Sequence, residues 1–263
     1  MARDFDGVND NISFGDIPVI SDSTTLSFSI WVWNDAITAD MNVADNRASG
    51  VTGGYRNYFD DVGSVSGRTD VYNIVIQETA GAGGSSVRIE TATSSAVANA
   101  WQHVFWSAIA ADATGLQIWI DGVEDANSPV SLSAIGDLGN SNGPIKFGET
   151  DDGVADRDGR LAECGIWNRV LTDSEIVALS KGYSPLFMPA SLLFYSPLIG
   201  RNSPELDIKG GASGTLAGTA NIAHPRIIYP SFAQIRRFTT AAAGGGKTDW
   251  PKFQRSGFWN WEF

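Results

Sequence analysis

Carboxylates are the residues of this chain best suited to chemistry. A retaining glycoside hydrolysis needs two of them about 5–5.5 Å apart, a spacing met by residues i and i+2 on one face of a strand. The nearest approach is Glu149-Thr150-Asp151, but Asp152-Gly153 follows at once and reads as a turn. Asp151, Asp152, Asp156 and Asp158 crowd one glycine-bearing loop. Such an oxygen-rich loop suits a hard cation that takes six to eight oxygen ligands, and calcium is the ion expected there. Asp6, Asn9, Asp10 and Asn11 form a second oxygen-rich turn. Aromatic rings are the other candidates, because a flat ring can stack on a sugar. Tyr55, Tyr58 and Phe59 lie in a polar stretch between 47 and 69, and the sequence places them on an exposed loop as glycan candidates. Trp31, Trp33, Phe105 and Trp119 lie on strand-like runs, where a core position is the competing expectation.

Other chemistries are excluded by residue counts. One cysteine, Cys164, permits neither an intrachain disulfide nor a zinc site built on two cysteines. Two histidines, His103 and His224, are too few for a multi-histidine metal centre. His103 is expected as a satisfied core or edge histidine, and Cys164 as a small buried apolar residue. No phosphate-binding glycine loop and no Ser-His-Asp order is present. The expected cofactor list is therefore empty apart from calcium, and the expectation is that the chain is not an enzyme.

The elements that must position these residues are strands. Leu26, Phe28, Ile30 and Val32 alternate with Ser27, Ser29, Trp31 and Trp33, a period of two. Leu116, Ile118 and Ile120 alternate likewise, and 70–77, 86–93, 101–109, 144–149, 159–168 and 191–198 are further strand-like runs. Gly53-Gly54, Asp121-Gly122, Asp152-Gly153 and Asp158-Gly159 separate them as turn signals. Short strands with glycine-rich turns predict an all-β antiparallel sandwich. One short helix is expected at its rim, from the capping box Thr172-Asp-Ser-Glu175 to the stop at Gly182.

Charge divides the chain. The 263 residues carry a net charge of −12, yet residues 224–263 are +4 and residues 1–223 are −16. The acidic body argues against non-specific nucleic-acid binding. No run approaches ~18 apolar residues, so no membrane span is expected. Residues 1–16 show no apolar signal segment. A Thr-Thr-Ala-Ala-Ala-Gly-Gly-Gly spacer, 239–246, precedes a segment with six aromatics in 14 residues. Trp250, Phe253, Phe258, Trp259, Trp261 and Phe263, with Arg255 among them, have the composition of interface hot spots. They are expected to dock on a partner subunit, and an eight-residue spacer reaches about 26–29 Å.

Three segments resemble the laminin-G-like branch of the concanavalin A-like jelly rolls. They are FDGVNDNISFGD (5–16), TLSFSIWVW (25–33) with WQHVFWSAIAADATGLQIWIDGVED (101–125), and GRLAECGIWNRVLTDSEIVALSKG (159–182). The resemblance implies a two-sheet jelly roll over residues 1–185. SLLFYSPLIG and its sequel (191–218) look like the opening of another such module. Too little chain follows for a second sandwich, so 186–238 is expected as appended strands on the first, and 239–263 as an extended docking arm. Catalytic members carry Glu-x-Asp-x-x-Glu, whose last carboxylate is replaced here by Val154. Calcium-binding members commonly have Asp-Glu where this chain has Ala162-Glu163. Such sandwiches occur in phage decoration and tail proteins. The resulting expectation is a non-enzymatic virion structural or decoration protein, made in a host cytoplasm without a signal peptide. It would be a homo-oligomer that docks on another virion protein and meets a surface glycan. The alternative is a free carbohydrate-binding or adhesion module, calcium-dependent or not, and after it a glycosidase.

Overall fold

The structure is a computed structural model that describes residues 2–21, 23–47, 53–61, 67–78, 85–138, 143–150, 155–199 and 203–231. In chain order the strands are β1 (Ala2–Asp6), β2 (Asn11–Ser13), β3 (Thr25–Asn34), β4 (Met41–Asp45), β5 (Gly54–Asp60), β6 (Val71–Gln77), β7 (Ser86–Glu90) and β8 (Trp101–Ile109). They continue as β9 (Leu116–Ile120), β10 (Val123–Glu124), β11 (Lys146–Phe147), β12 (Asp158–Trp167), β13 (Leu192–Ser196), β14 (Glu205–Leu206), β15 (Ser213–Ala217) and β16 (Ala220–Ile222). Helix α1 is one turn, Pro18–Ser21, which the sequence reading did not contain, and α2 spans Asp173–Ser180.

Two antiparallel sheets face each other. The first runs β10-β9-β8-β3-β12-β1-β16, with β13 also paired to β12; the second runs β14-β15-β2-β11-β4-β5-β6-β7. Residues up to Tyr229 form one compact unit, and the strands after residue 186 are built into both sheets. The alternation in β3 fixes its orientation. Leu26, Phe28, Ile30 and Val32 are fully buried between the sheets, opposite Ala108, Trp106, Val104 and Gln102 of β8. Burial of each such side chain stabilises the fold by roughly 1.5–3 kcal/mol. The expected hairpin turn after β9 is present: Asp121 and Gly122 both have positive φ, the type I′ geometry that suits the strand twist.

Helix α2 forms from its capping box, in which Thr172 Oγ1 accepts from the Glu175 N–H and Glu175 reaches back to the Thr172 N–H. Arg169 pairs with Glu175 at 2.6 Å and holds its carboxyl down to about 2. Ile176 and Leu179 do not join the main core. They pack with Phe105, Trp119 and Trp167 on the outer face of the first sheet. The helix therefore lies over part of that face, and Trp31, Trp33 and Trp101, outside its cluster, are partly exposed.

Candidate functional site

The part of the outer face beyond the α2 cluster carries tryptophans. Alternation in β3 and β8 turns Trp31, Trp33 and Trp101 outward, and all three are partly exposed. The register puts Trp33 beside Trp101 and Trp31 beside His103. The Trp33 and Trp101 rings meet edge to face at 5.9 Å, an arrangement aromatic pairs prefer. On the other side Arg160 of β12 pairs with Trp33 and holds its guanidinium 4.6 Å from that ring's centroid. Arg160 is itself held by Asp4 at 3.2 Å and Asp35 at 3.4 Å, and Trp33 Nε1 donates to Asp35 at 2.7 Å. The result is a ledge of flat rings bordered by a guanidinium and two carboxylates. Such a surface can stack on a sugar ring and hydrogen-bond its hydroxyls.

Two neighbours fix this ledge. Gly159, with φ +143°, passes so close to Trp33 that a Cβ there would lie 2.2 Å from the Trp33 carbonyl oxygen. Only glycine permits that approach. His103 is fully buried under the ring of Trp31, with Nε2 2.8 Å from Ser29 Oγ. Burial pushes its pKa down to about 3, so it is neutral at pH 7. The expectation of a core histidine is met, but not of a satisfied one: its Nδ1 finds no hydrogen-bond partner among the described residues. Cys164 is likewise fully buried, and burial raises its thiol pKa.

The tyrosine expectation is corrected. Tyr55, Tyr58 and Phe59 are not on an exposed loop but in β5, and all are buried. Tyr55 packs against Phe28 and Trp106 in the core, and Phe59 against Tyr72. Tyr58 faces outward from the second sheet, but Arg56 covers its ring at 4.4 Å. The inward residue between Tyr55 and Phe59 is Asn57, a polar side chain in an apolar row, and it hides the strand period. Phe105 and Trp119 are also removed from the glycan candidates, because α2 covers them. Trp101 is the member the sequence reading missed. Its signal was the Trp-x-His-Val run, but only strand register shows that it adjoins Trp33.

Asp151 and Asp152 lie outside the described residues. Asp156 and Asp158 border a pocket of about 250 Å³ together with Asp6, Thr38 and Met41. Burial and the neighbouring Asp35 raise the pKa of Asp158. Among the described residues, one group of three or more potential metal ligands has its oxygens within 4.8 Å of one another: Asp40, Asp60 and Asp61. Asp156 and Asp158 do not belong to such a group. Glu149 is nearly buried, held by Lys146 Nζ and Asn11 Nδ2, each at 2.8 Å.

His224 has partners that its sequence context did not show. Its Nε2 lies 3.2 Å from buried Glu163, whose carboxylate also accepts from Tyr195 at 2.7 Å and Tyr229 at 2.6 Å. Glu163 sits at a bulge in β12 with φ +58°, which turns its side chain to this cluster. The cluster ties residues 224–229 to β12 and β13. The docking residues Trp250, Phe253, Arg255, Phe258, Trp259, Trp261 and Phe263 lie outside the described residues. No described helix is long and apolar enough to cross a membrane.

Two sheets of this topology, with a capped helix over one of them, define a lectin-type jelly roll. The family model described as the concanavalin A-like lectin/glucanases superfamily matches residues 6–177, well over half the chain, and the chain belongs to that family. Among solved structures it is similar to a protein from Bacteroides ovatus proposed to bind carbohydrate. The identity is 20%, with a TM-score of 0.60, covering 86% of this chain and 61% of that one. This chain thus spans about three fifths of that protein's length. It is also similar to the heptameric SAP-like pentraxin of Limulus polyphemus, with 13% identity, a TM-score of 0.50 and coverage of 68% and 81%. At these identities the likeness establishes the fold. No curated protein matches.

Proposed function

We propose that the sandwich is a non-enzymatic carbohydrate-binding module, with the outer-face ledge of Trp31, Trp33 and Trp101 as its binding surface. One observation carries the reading: three partly exposed tryptophans occupy adjoining register positions on a rigid sheet. Adjoining apolar rings left partly exposed in this way favour a binding surface. Arg160, Asp35 and Asp4 border the ledge with groups that can pair with hydroxyls. The assignment of carbohydrate binding to the Bacteroides ovatus relative supports the same class of ligand. A glycan array decides it, probed with the wild type, Trp33→Ala and Trp101→Ala, with and without a calcium chelator. Binding by the wild type that both variants lose supports the ledge. Binding that both variants keep refutes it, and loss on chelation adds calcium to the reading.

A second role rests on the C-terminal composition. Six aromatics among residues 250–263, behind a glycine spacer, favour docking on another protein. The corresponding reading is a homo-oligomeric decoration or structural protein of a virion, in which the sandwich meets a surface glycan. Deleting residues 247–263 and weighing the assembly tests it. Full association of the truncated chain with its particle refutes the docking arm.

A further inference from the structure

The residues that follow the two ledge tryptophans point the other way. Side chains alternate along a strand, so Asn34 and Gln102 enter the interior directly behind Trp33 and Trp101, and both are buried. Tyr72 reaches them from β6 of the opposite sheet. Its hydroxyl accepts from Asn34 Nδ2 at 3.2 Å and donates to Gln102 Oε1 at 3.1 Å. Arg157, fully buried, donates from Nη2 to Asn34 Oδ1 and to the Trp33 carbonyl, each at 2.8 Å. Gln102 is anchored in turn by the Val97 N–H at 2.8 Å and the Ser95 carbonyl at 3.0 Å. A continuous polar chain, Arg157-Asn34-Tyr72-Gln102, thus runs behind both rings.

We propose that this chain is the positioning device that sets the spacing of Trp33 and Trp101, with Tyr72 and Arg157 as positioning residues acting through Asn34 and Gln102. Its purpose, presenting two rings to a sugar, rests on the carbohydrate reading above. Its physical basis is the expense of the arrangement. A buried guanidinium is costly unless fully paired, and Arg157 Nε and Nη1 find no acceptor among the described residues. An apolar side chain would fill the same space without that cost, but it could not grip the Trp33 carbonyl and the Asn34 amide together. Burial lowers the Arg157 pKa only to about 10 and raises that of Tyr72 to about 12, so both keep their donor protons at neutral pH.

The test uses the full chain with Tyr72→Phe, which keeps the ring, and Arg157→Lys, which keeps the charge and removes the fork. Two readouts are taken. The first is the far-UV exciton couplet of the Trp33–Trp101 pair, identified by its absence in Trp33→Ala and Trp101→Ala. The second is retardation in native gels containing soluble β-glucan, xylan, mannan or arabinan. Tyr72→Phe and Arg157→Lys are expected to lose at least half of the couplet while unfolding cooperatively. Each should also bind about tenfold more weakly to any polysaccharide that retards the wild type but not Trp101→Ala. An unchanged couplet in both variants, with only a lower denaturation midpoint, overturns the proposal. If Trp101→Ala is retarded as fully as the wild type, the carbohydrate reading falls, while the couplet still decides the network.

Discussion

Trp101 is partly exposed, yet it meets Trp33 edge to face, so its removal takes away half of an aromatic pair at little expense to the core. Trp101→Ala is expected to weaken glycan binding roughly tenfold, since an aromatic pair and its buried area are worth on the order of 1–1.5 kcal/mol. Titration calorimetry against an array-positive glycan checks it. His103 gives a prediction in pH. Its folded pKa of about 3 lies below the ordinary 6.5, so the unfolded chain binds a proton that the folded one refuses. Its contribution is complete above pH 6.5 and is lost as pH falls from 6.5 towards 3. Glu175, with its carboxyl held at about 2, acts in the same direction from about pH 4.5 downward. Urea midpoints measured across this range should fall with acid, and the part between pH 6.5 and 4.5 should shrink in His103→Gln.

At the scale of elements, β12 matters most, because it touches β1, β3 and β13 and carries both Gly159 and the Glu163 bulge. Gly159→Ala would drive a Cβ against the Trp33 carbonyl at a positive φ. Strain of this kind costs about 1–3 kcal/mol. The expected result is a lower melting temperature together with a changed Trp33 fluorescence; an unchanged spectrum would contradict the close approach. Helix α2 is a simpler case. Thr172→Ala removes its N-cap and is expected to cost about 1 kcal/mol by chemical denaturation. The capping box, the β3 alternation and the Asp121-Gly122 turn were readable in advance, because each is set within a few neighbouring residues. β5 was not readable. Its inward Asn57 breaks the apolar row, and burial of Tyr55 and Phe59 depends on Phe28, Trp106 and Tyr72, which are distant in sequence.

At the scale of the molecule, the two sheets are joined by more than apolar packing. Arg3 of β1 in the first sheet pairs with Glu205 of β14 in the second at 2.9 Å, with both side chains nearly fully buried. Glu205 also accepts from the Ile199 N–H at 3.2 Å. Removing one partner leaves an uncompensated buried charge, which costs about 3–5 kcal/mol. Glu205→Ala should therefore unfold at a markedly lower urea concentration, and a shift of only a few tenths of a kcal/mol would show that the pair is not closed in solution. The acidic body and the basic aromatic C-terminal segment were plain from composition. The pairing of β1 with β16 and of β2 with β15 was not, since no local pattern links the first 13 residues to residues 213–222.

Resemblance in three segments implied the jelly-roll family; the all-β class, the capped helix, the Asp121-Gly122 turn and the division of charge were determined by the amino-acid sequence itself. These depend on side-chain period, turn chemistry and composition, all of which act over short stretches of chain. Only the tertiary structure decided which aromatics face water. Trp33, Trp101, Phe105 and Trp119 have the same alternation and the same outward direction. Two are buried in a cluster with Ile176 and Leu179 of α2 and with Trp167, Met188 and Tyr195, all about 50 residues or more further along, and two lie outside that cluster and stay partly exposed. Exposure belongs to what a residue meets in the fold, and strand register together with the distant segments packed on the sheet settled it.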